Sequence, residues 1–252
     1  MSYHGYIPHI GGFADQFLMP FVLEIGVDKG QALFPIVNHL TKGCESANPK
    51  RKYYYCGIDV NLRSHVKTSV DYINFANFGL RDNPNKIEDQ TGFIHLDGGN
   101  SLDILPKMLE KGYDGKFCVI LIDGDHNYHT VSRELEYASK LLAPQGIIIC
   151  DDYDGPGGIQ DEFFSETTGF FEEENEQTKS LIKREEVPKE KQGVKTAVDE
   201  FLDNNKIWTS HKIFPEDEPI VLFRKDKINM KSTQIETGGG AMRFFGSTWE
   251  FL

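Results

Sequence analysis

Apolar residues in this chain gather in short blocks, and the blocks alternate with segments of helical period. Phe21-Val22-Leu23-Glu24-Ile25-Gly26 is a brief apolar run that ends in glycine. Gln31 to Leu40 follows as a helix, in which Pro35 predicts a kink or a late start because it has no N–H to give a helix interior. Tyr53 to Asp59 reads as a second strand, and Arg63 to Phe78 carries Val66, Val70 and Ile73 near a helical spacing. Gly92 to Asp97 and Leu102 to Leu109 read as a third strand and a short helix. Phe117 to Asp123 is apolar at every position but the last, as a strand covered on both faces requires. Val131, Leu135, Ala138 and Leu142 then mark one side of a helix, Ala143-Pro144-Gln145-Gly146 stop it, and Gly146 to Asp152 is another covered strand. Strand and helix repeating in this way predict an α/β fold with right-handed crossovers and a mostly parallel sheet.

The alternation breaks after Asp154. Residues 154–192 are long, polar and charged, with Glu172-Glu173-Glu174 among them, and a connection of this length is expected to form a lid or an interface. Gly193 to Asn204 resumes as a helix with Val194, Ala197, Val198 and Phe201 on one side. Ile207–Phe214 and Pro219–Arg224 read as a hairpin joined by Pro215-Glu216-Asp217-Glu218. The expected organisation is therefore an N-terminal cap segment (1–20), a main domain (21–230) and a tail (231–252). In the tail, Gly238-Gly239-Gly240 reads as a hinge before Phe244, Phe245, Trp249 and Phe251. His4 and His9 put the cap over a substrate site or at a subunit contact, and a homo-oligomer would form through 154–192 or through the tail.

Charge narrows the partners. A net charge of -12 over 252 residues opposes phosphate backbones and anionic lipid, so neither nucleic acid nor membrane is expected. No run is long and apolar enough to span a bilayer, and the N-terminus lacks the pattern of a signal peptide. Cys44, Cys56, Cys118 and Cys150 form no CxxC pair and read as reduced core thiols, which points to a cytoplasmic protein.

Open parallel sheets bind ligands beyond the carboxyl ends of their strands. Acidic residues stand in or beside each such end: Glu24, Asp59, Asp97, Asp123 and Asp151-Asp152. Gly26 and Gly30 flank the first strand-to-helix turn, where glycine permits close approach to a ligand or simply makes the turn. Asp59 suits the two hydroxyls of a ribose, which indicates a nucleoside without naming it. Asp97 with Gly98-Gly99 would line a base, and Asn100 or Ser101 would either reach its edge or cap the following helix. Asp123, Asp151 and Asp152 come from adjacent strand ends, so their carboxylates call for a cation or a shared proton. Oxygen ligands favour Mg²⁺, Mn²⁺ or Ca²⁺ over zinc. His126, three residues past Asp123, is the candidate general base, its ordinary pKa of about 6.5 suiting that task near neutral pH. The alternative is a solvated strand end beside a surface histidine.

At these residues the chain resembles the class I S-adenosylmethionine-dependent methyltransferases, from about Val22 to Arg224. Glu24 to Gly30 resembles the family's first cofactor motif, and Asp59 its ribose-binding acid. Ile122-Asp123-Gly124-Asp125-His126-Asn127-Tyr128, Leu142 to Tyr153 and Gly193 to Phe201 resemble a narrower group. That group holds metal-dependent O-methyltransferases of macrolide sugars and cephalosporin-hydroxylase-like proteins. The resemblance implies a Rossmann-like, doubly wound, seven-stranded sheet with a reversed C-terminal strand. It also implies S-adenosylmethionine as cofactor, Mg²⁺ or Mn²⁺ on Asp123, Asp151 and Asp152, His126 with Asp123 in catalysis, and a small-molecule hydroxyl, such as a sugar's, as acceptor. Gln145 departs from a usual glycine, and 154–192 is longer than the group's common form, so the acceptor does not carry over. Two rivals stand beside this reading. One is a nicotinamide-dependent oxidoreductase, against which the missing GxGxxG counts; the other is a non-catalytic hydroxylase-like partner protein.

Overall fold

The computed structural model describes residues 7–47, 49–78, 91–167, 171, 176–212 and 219–226, and the backbone of 234–237, 240–245 and 248–251. A helix α1 (Ile7–Ala14) precedes the alternating part: β1 (Phe21–Ile25), α2 (Leu33–Ser46), β2 (Tyr53–Asp59), α3 (Ser64–Phe78), β3 (Gly92–Gly98), α4 (Ser101–Glu110), β4 (Phe117–Ile122), α5 (Tyr128–Leu141) and β5 (Leu142–Cys150). Two one-turn helices follow, α6 (Pro156–Ile159) and α7 (Glu176–Lys179), then α8 (Gly193–Asn204), β6 (Trp208–His211) and β7 (Ile220–Arg224).

Seven strands form one sheet in the order β3-β2-β1-β4-β5-β7-β6, parallel from β3 to β5 and antiparallel at both β5–β7 and β7–β6. This is the doubly wound, mostly parallel sheet that the alternation predicts, with the reversed strand near its end. Side chains alternate between the two faces. Val22, Tyr55, Ile94, Val119 and Ile149 pack with α1, α2 and α3; Leu23, Ile25, Ile58, Ile120 and Ile148 pack with α4, α5 and α8. Each fully buried aliphatic side chain of this kind contributes about 1.5–3 kcal/mol. Registers Ile25↔Ile58, Ile58↔Asp97, Ile25↔Ile122 and Ile122↔Cys150 bring the strand ends level. The residues that follow them therefore share one rim.

Pro35 falls in the first turn of α2, where its missing N–H costs nothing, so the helix starts late and runs on to Ser46. β5 begins at Leu142, not Gly146: Leu142 pairs with Phe117, and the register shifts before Ile147 meets Val119. The residues that stop α5 are thus already in the sheet as a bulge. The expected turn at 215–218, the acidic run 172–175 and Gly238-Gly239 lie outside the described residues. The tail contains three strands, β8 (Gln234–Thr237), β9 (Gly240–Phe245) and β10 (Thr248–Phe251), in a separate antiparallel sheet. α1 packs on the core through Ile7, Ile10 and Ala14, on the α2 face. All four cysteines are buried and unbridged, and among the described residues no helix is long and apolar enough to cross a membrane.

Candidate active site

Between β1 and β4 the strand order reverses, and the chain leaves the sheet toward opposite faces. A cleft of about 200 Å³ opens there, lined by Ile25, Gly26, Asp28, Ile58 and Asp59 on one side and by Asp123 to His126 on the other. Its position is where the topology of an open sheet places ligands. Gly26 has φ 89°, and a Cβ there would run into the carbonyl oxygen of Asp123. The glycine is thus required by the approach of β1 to β4, fastened by Asp123 N–H donating to Ile25 O at 2.8 Å. Gly30, at φ 75°, makes the turn; a Cβ there would meet the ring of Phe34, and Gly30 is not in the cleft wall. Asp59 holds the same turn from below: Oδ2 accepts from Val27 N–H (2.9 Å) and Asp28 N–H (2.8 Å), and Oδ1 from Asn61 N–H (2.6 Å). A carboxylate has about four acceptor positions, so Asp59 keeps capacity for a ligand hydroxyl.

Three expected contacts fall elsewhere. Glu24 is buried on the α2 face, accepts the Tyr55 hydroxyl at 2.8 Å and does not line the cleft; burial lifts its pKa well above the usual range. The strand's alternation turned this side chain inward, which the motif alone does not reveal. Asp97 lies outside the cleft wall and pairs with His95 Nε2 at 3.1 Å. Asn100 takes its capping alternative: Oδ1 accepts from Leu102 N–H, while Nδ2 donates to Ser180 O, both at 3.0 Å. Ser101, by contrast, lines the cleft and donates to Glu134 Oε1 at 2.6 Å.

The acid cluster assembles around His126. Its Nε2 faces Asp123 Oδ1 at 3.3 Å, its Nδ1 faces Asp152 Oδ2 at 2.7 Å, and its ring meets Phe164 edge-on at 5.3 Å. Burial pulls the imidazole pKa down, but Asp123 and Asp152 outweigh it and hold it well above its ordinary value. Flanked by two carboxylates, the ring favours the imidazolium form more than a free histidine does. Asp151 is hydrogen-bonded to Asp123, and burial together with that neighbour pushes its carboxyl up to about 8. Asp152 takes a left-handed backbone, φ 53°, at the end of β5.

Asp123, Asp151 and Asp152 therefore share a neighbourhood, but the imidazole stands between Asp123 and Asp152. Among the described residues, the side chains whose ligand atoms fall within 4.8 Å of one another are His126, Asp152 and Glu162. Glu162 is carried in by the 154–192 segment. Hard carboxylate oxygens with one imidazole nitrogen fit Mg²⁺ or Mn²⁺ by donor chemistry.

That segment is stitched onto the β4–α5 loop. Tyr128 N–H donates to Asp161 Oδ1 (2.8 Å), Glu162 N–H to His126 O (3.0 Å) and Phe164 N–H to Asp125 Oδ1 (3.1 Å). Asp161 Oδ1 also accepts from Gly193 N–H at 2.7 Å, so one carboxylate serves the first turns of both α5 and α8. Phe164, Phe171 and Leu181 then complete the cleft wall. α1 adds nothing to that wall, so Phe13 packs against α-helical core on the other face. Asp161, Glu134 and Glu162 were not singled out by sequence. For Glu134 a signal existed: it is a lone acid on the apolar side of α5 that Val131, Leu135 and Ala138 define.

The profile of the family described as "Methyltransferase domain" matches residues 23–153, which run from within β1 to just past β5 and include Asp123, His126, Asp151 and Asp152. The chain belongs to this family. A methyltransferase is thereby distinguished from the nicotinamide-dependent rival. Solved structures agree on the fold. The O-methyltransferase TomG from Streptomyces achromogenes, solved with S-adenosylmethionine, is 15% identical over 89% of this chain and 81% of its own, with a TM-score of 0.51. CalS11, a TDP-rhamnose 3'-O-methyltransferase of calicheamicin biosynthesis, is 12% identical over 86% of this chain and 76% of its own, with a TM-score of 0.54. A search of curated proteins finds no significant match.

Proposed function

We propose that this methyltransferase uses S-adenosylmethionine to methylate a hydroxyl group of a small molecule, a sugar hydroxyl in the first instance, assisted by Mg²⁺ or Mn²⁺. The observation that carries the reading is the joining of two chemistries in one cleft. One end has a glycine turn and Asp59, suited to a nucleoside; the other has His126 between carboxylates, suited to handling a proton. The two O-methyltransferases of like fold support a hydroxyl as acceptor, and the nucleotide-sugar substrate of CalS11 supports a sugar.

When bound, the sulfonium supplies an electrophilic methyl: an oxygen–carbon bond forms, the carbon–sulfur bond breaks, and the electron pair goes to sulfur. When bound, a divalent cation would lower the pKa of the acceptor hydroxyl. Asp152 and Glu162, with Asp123 and Asp151 adjacent, would hold it through carboxylate oxygens, leaving the His126 imidazole off the ion. The chain's own residues do the rest. Gly26 and Asp59 orient the cofactor, and alignment of this kind is worth about 7–11 kcal/mol. Phe164, Phe171 and Leu181 exclude water from the cleft. His126, in its neutral form, takes the hydroxyl proton.

Calorimetry with S-adenosylmethionine and S-adenosylhomocysteine, with and without Mg²⁺, tests the cofactor; transfer to free and nucleotide-linked sugars and to catechols tests the acceptor. Binding of both cofactor forms with turnover on a hydroxyl is expected. Absence of cofactor binding removes the reading. Binding without turnover on any acceptor favours the non-catalytic partner, and full activity in excess chelator removes the cation alone.

A further inference from the structure

Among the described residues, Asp28 and Asp152 are the non-glycine residues with a left-handed backbone. A side chain crowds the following carbonyl there, so the conformation persists only where neighbours hold it. What Asp152 gains is its aim. At φ 53° the chain turns past the end of β5 so that Oδ2 lies 2.7 Å from His126 Nδ1, and the carboxylate accepts from Gly157 N–H. A Cβ at Gly155 would run into Asp152 Oδ1, so the loop closes round the carboxylate on that side.

The two residues that follow are gripped from outside the turn. Lys195 Nζ, from the first turn of α8, donates to Asp154 Oδ1 at 2.7 Å and stands 4.7 Å from the centre of the Tyr153 ring. Tyr153 O–H donates to Asp199 Oδ1 at 2.7 Å, one turn further along α8. Lys212, just past β6, pairs with Asp154 Oδ2. Exposed ion pairs of this kind add little to stability. Their place is what matters, because α8 and the end of β6 fix the chain immediately after the strained residue. We propose that Lys195 and Lys212 are positioning residues: by clamping Tyr153-Asp154 they hold the left-handed turn that aims the Asp152 carboxylate at the cation. This rests on the cation of the proposed function. Neither lysine lines the cleft, so the effect passes through Asp152. Charge alone makes the opposite prediction: two ammonium groups repel a nearby cation, and removing them would tighten its binding.

The test uses the full chain with Mn²⁺ as probe, its affinity read by calorimetry and by the electron paramagnetic resonance of the free ion. Lys195→Met combined with Lys212→Met keeps the side-chain stems and removes both ammonium groups. Mn²⁺ affinity should fall about three- to tenfold, the lower part of what one left-handed residue costs, because aspartate tolerates that backbone better than most. Affinity for S-adenosylhomocysteine should stay within about twofold, as expected of a separate site. The double arginine variant, which keeps both charges, should bind Mn²⁺ as wild type does. Unchanged or tighter Mn²⁺ binding by the folded methionine variant overturns the inference, and so does an arginine variant as weak as the methionine one. If wild type itself takes up no Mn²⁺, the cation of the proposed function falls and the clamp with it; if wild type and the methionine variant bind Mn²⁺ alike, only the clamp falls.

Discussion

Replacing Glu134 by glutamine should change how stability responds to pH. The ordinary glutamate pKa is 4.5, and burial raises that of Glu134 to about 8. Below 4.5 the folded and unfolded chains are both protonated at this site, and it has no effect on pH dependence. Between 4.5 and about 8 the folded chain keeps a proton that the unfolded chain has released, so stability falls as pH rises; above about 8 the loss is complete. At 1.36 kcal/mol per pKa unit, the full loss is on the order of 3–5 kcal/mol. Glutamine keeps an acceptor for Ser101 Oγ–H but does not titrate. Glu24 and Asp151, whose pKa values are also raised, are present in both proteins and cancel in the difference. Urea unfolding at several pH values, followed by the fluorescence of the buried Trp208, measures the gap between Glu134→Gln and wild type. The variant should gain on wild type by a few kcal/mol from pH 5 to pH 8.5, on the order given by the linkage relation. Parallel curves with a constant gap would falsify the assignment of a buried, protonated carboxyl.

Gly26→Ala should abolish cofactor binding and cost about 2–4 kcal/mol in urea unfolding, since φ 89° and the Asp123 carbonyl both oppose a methyl group; normal binding would mean that the ends of β1 and β4 can part. His126→Ala should lower turnover by about 10²–10⁴ while calorimetry finds S-adenosylhomocysteine affinity nearly unchanged. Because Asp123 and Asp152 hold the imidazole pKa well up, the His126 ring of the metal-free protein should titrate above its ordinary range in an NMR pH series, and a midpoint near 6.5 would contradict the geometry. Asp161→Ala takes the acceptor from the first turns of α5 and α8, so a loss of about 1–4 kcal/mol is expected in the same unfolding assay; a change within error would mean that water replaces the carboxylate at both helices.

Much of the fold was legible because its signals are local. Apolar runs bounded by glycine and aspartate mark β1, β2, β4 and β5, and the turn at Gly26 follows from the need for a positive φ. What escaped is what depends on direction or on distant pairing. Glu24 belongs to the motif, yet strand alternation points it at Tyr55. Asp123, Asp151 and Asp152 do meet on one rim, yet no local pattern tells that His126 comes between two of them. Asp161 lies in a stretch with no period, and its value comes from helix starts 33 and 32 residues away. Asn100 shows the limit from the other side: capping and base contact use the same residue type, and the next helix decided between them.

The closeness of Gly26 to Asp123 has a mechanical meaning. Where two halves of a sheet touch backbone to backbone at their junction, they cannot swing apart like the covers of a book. The junction is thus the fixed floor of the cleft, and the part of the wall that does not belong to the sheet is the one that Phe164, Phe171 and Leu181 bring in from the 154–192 segment.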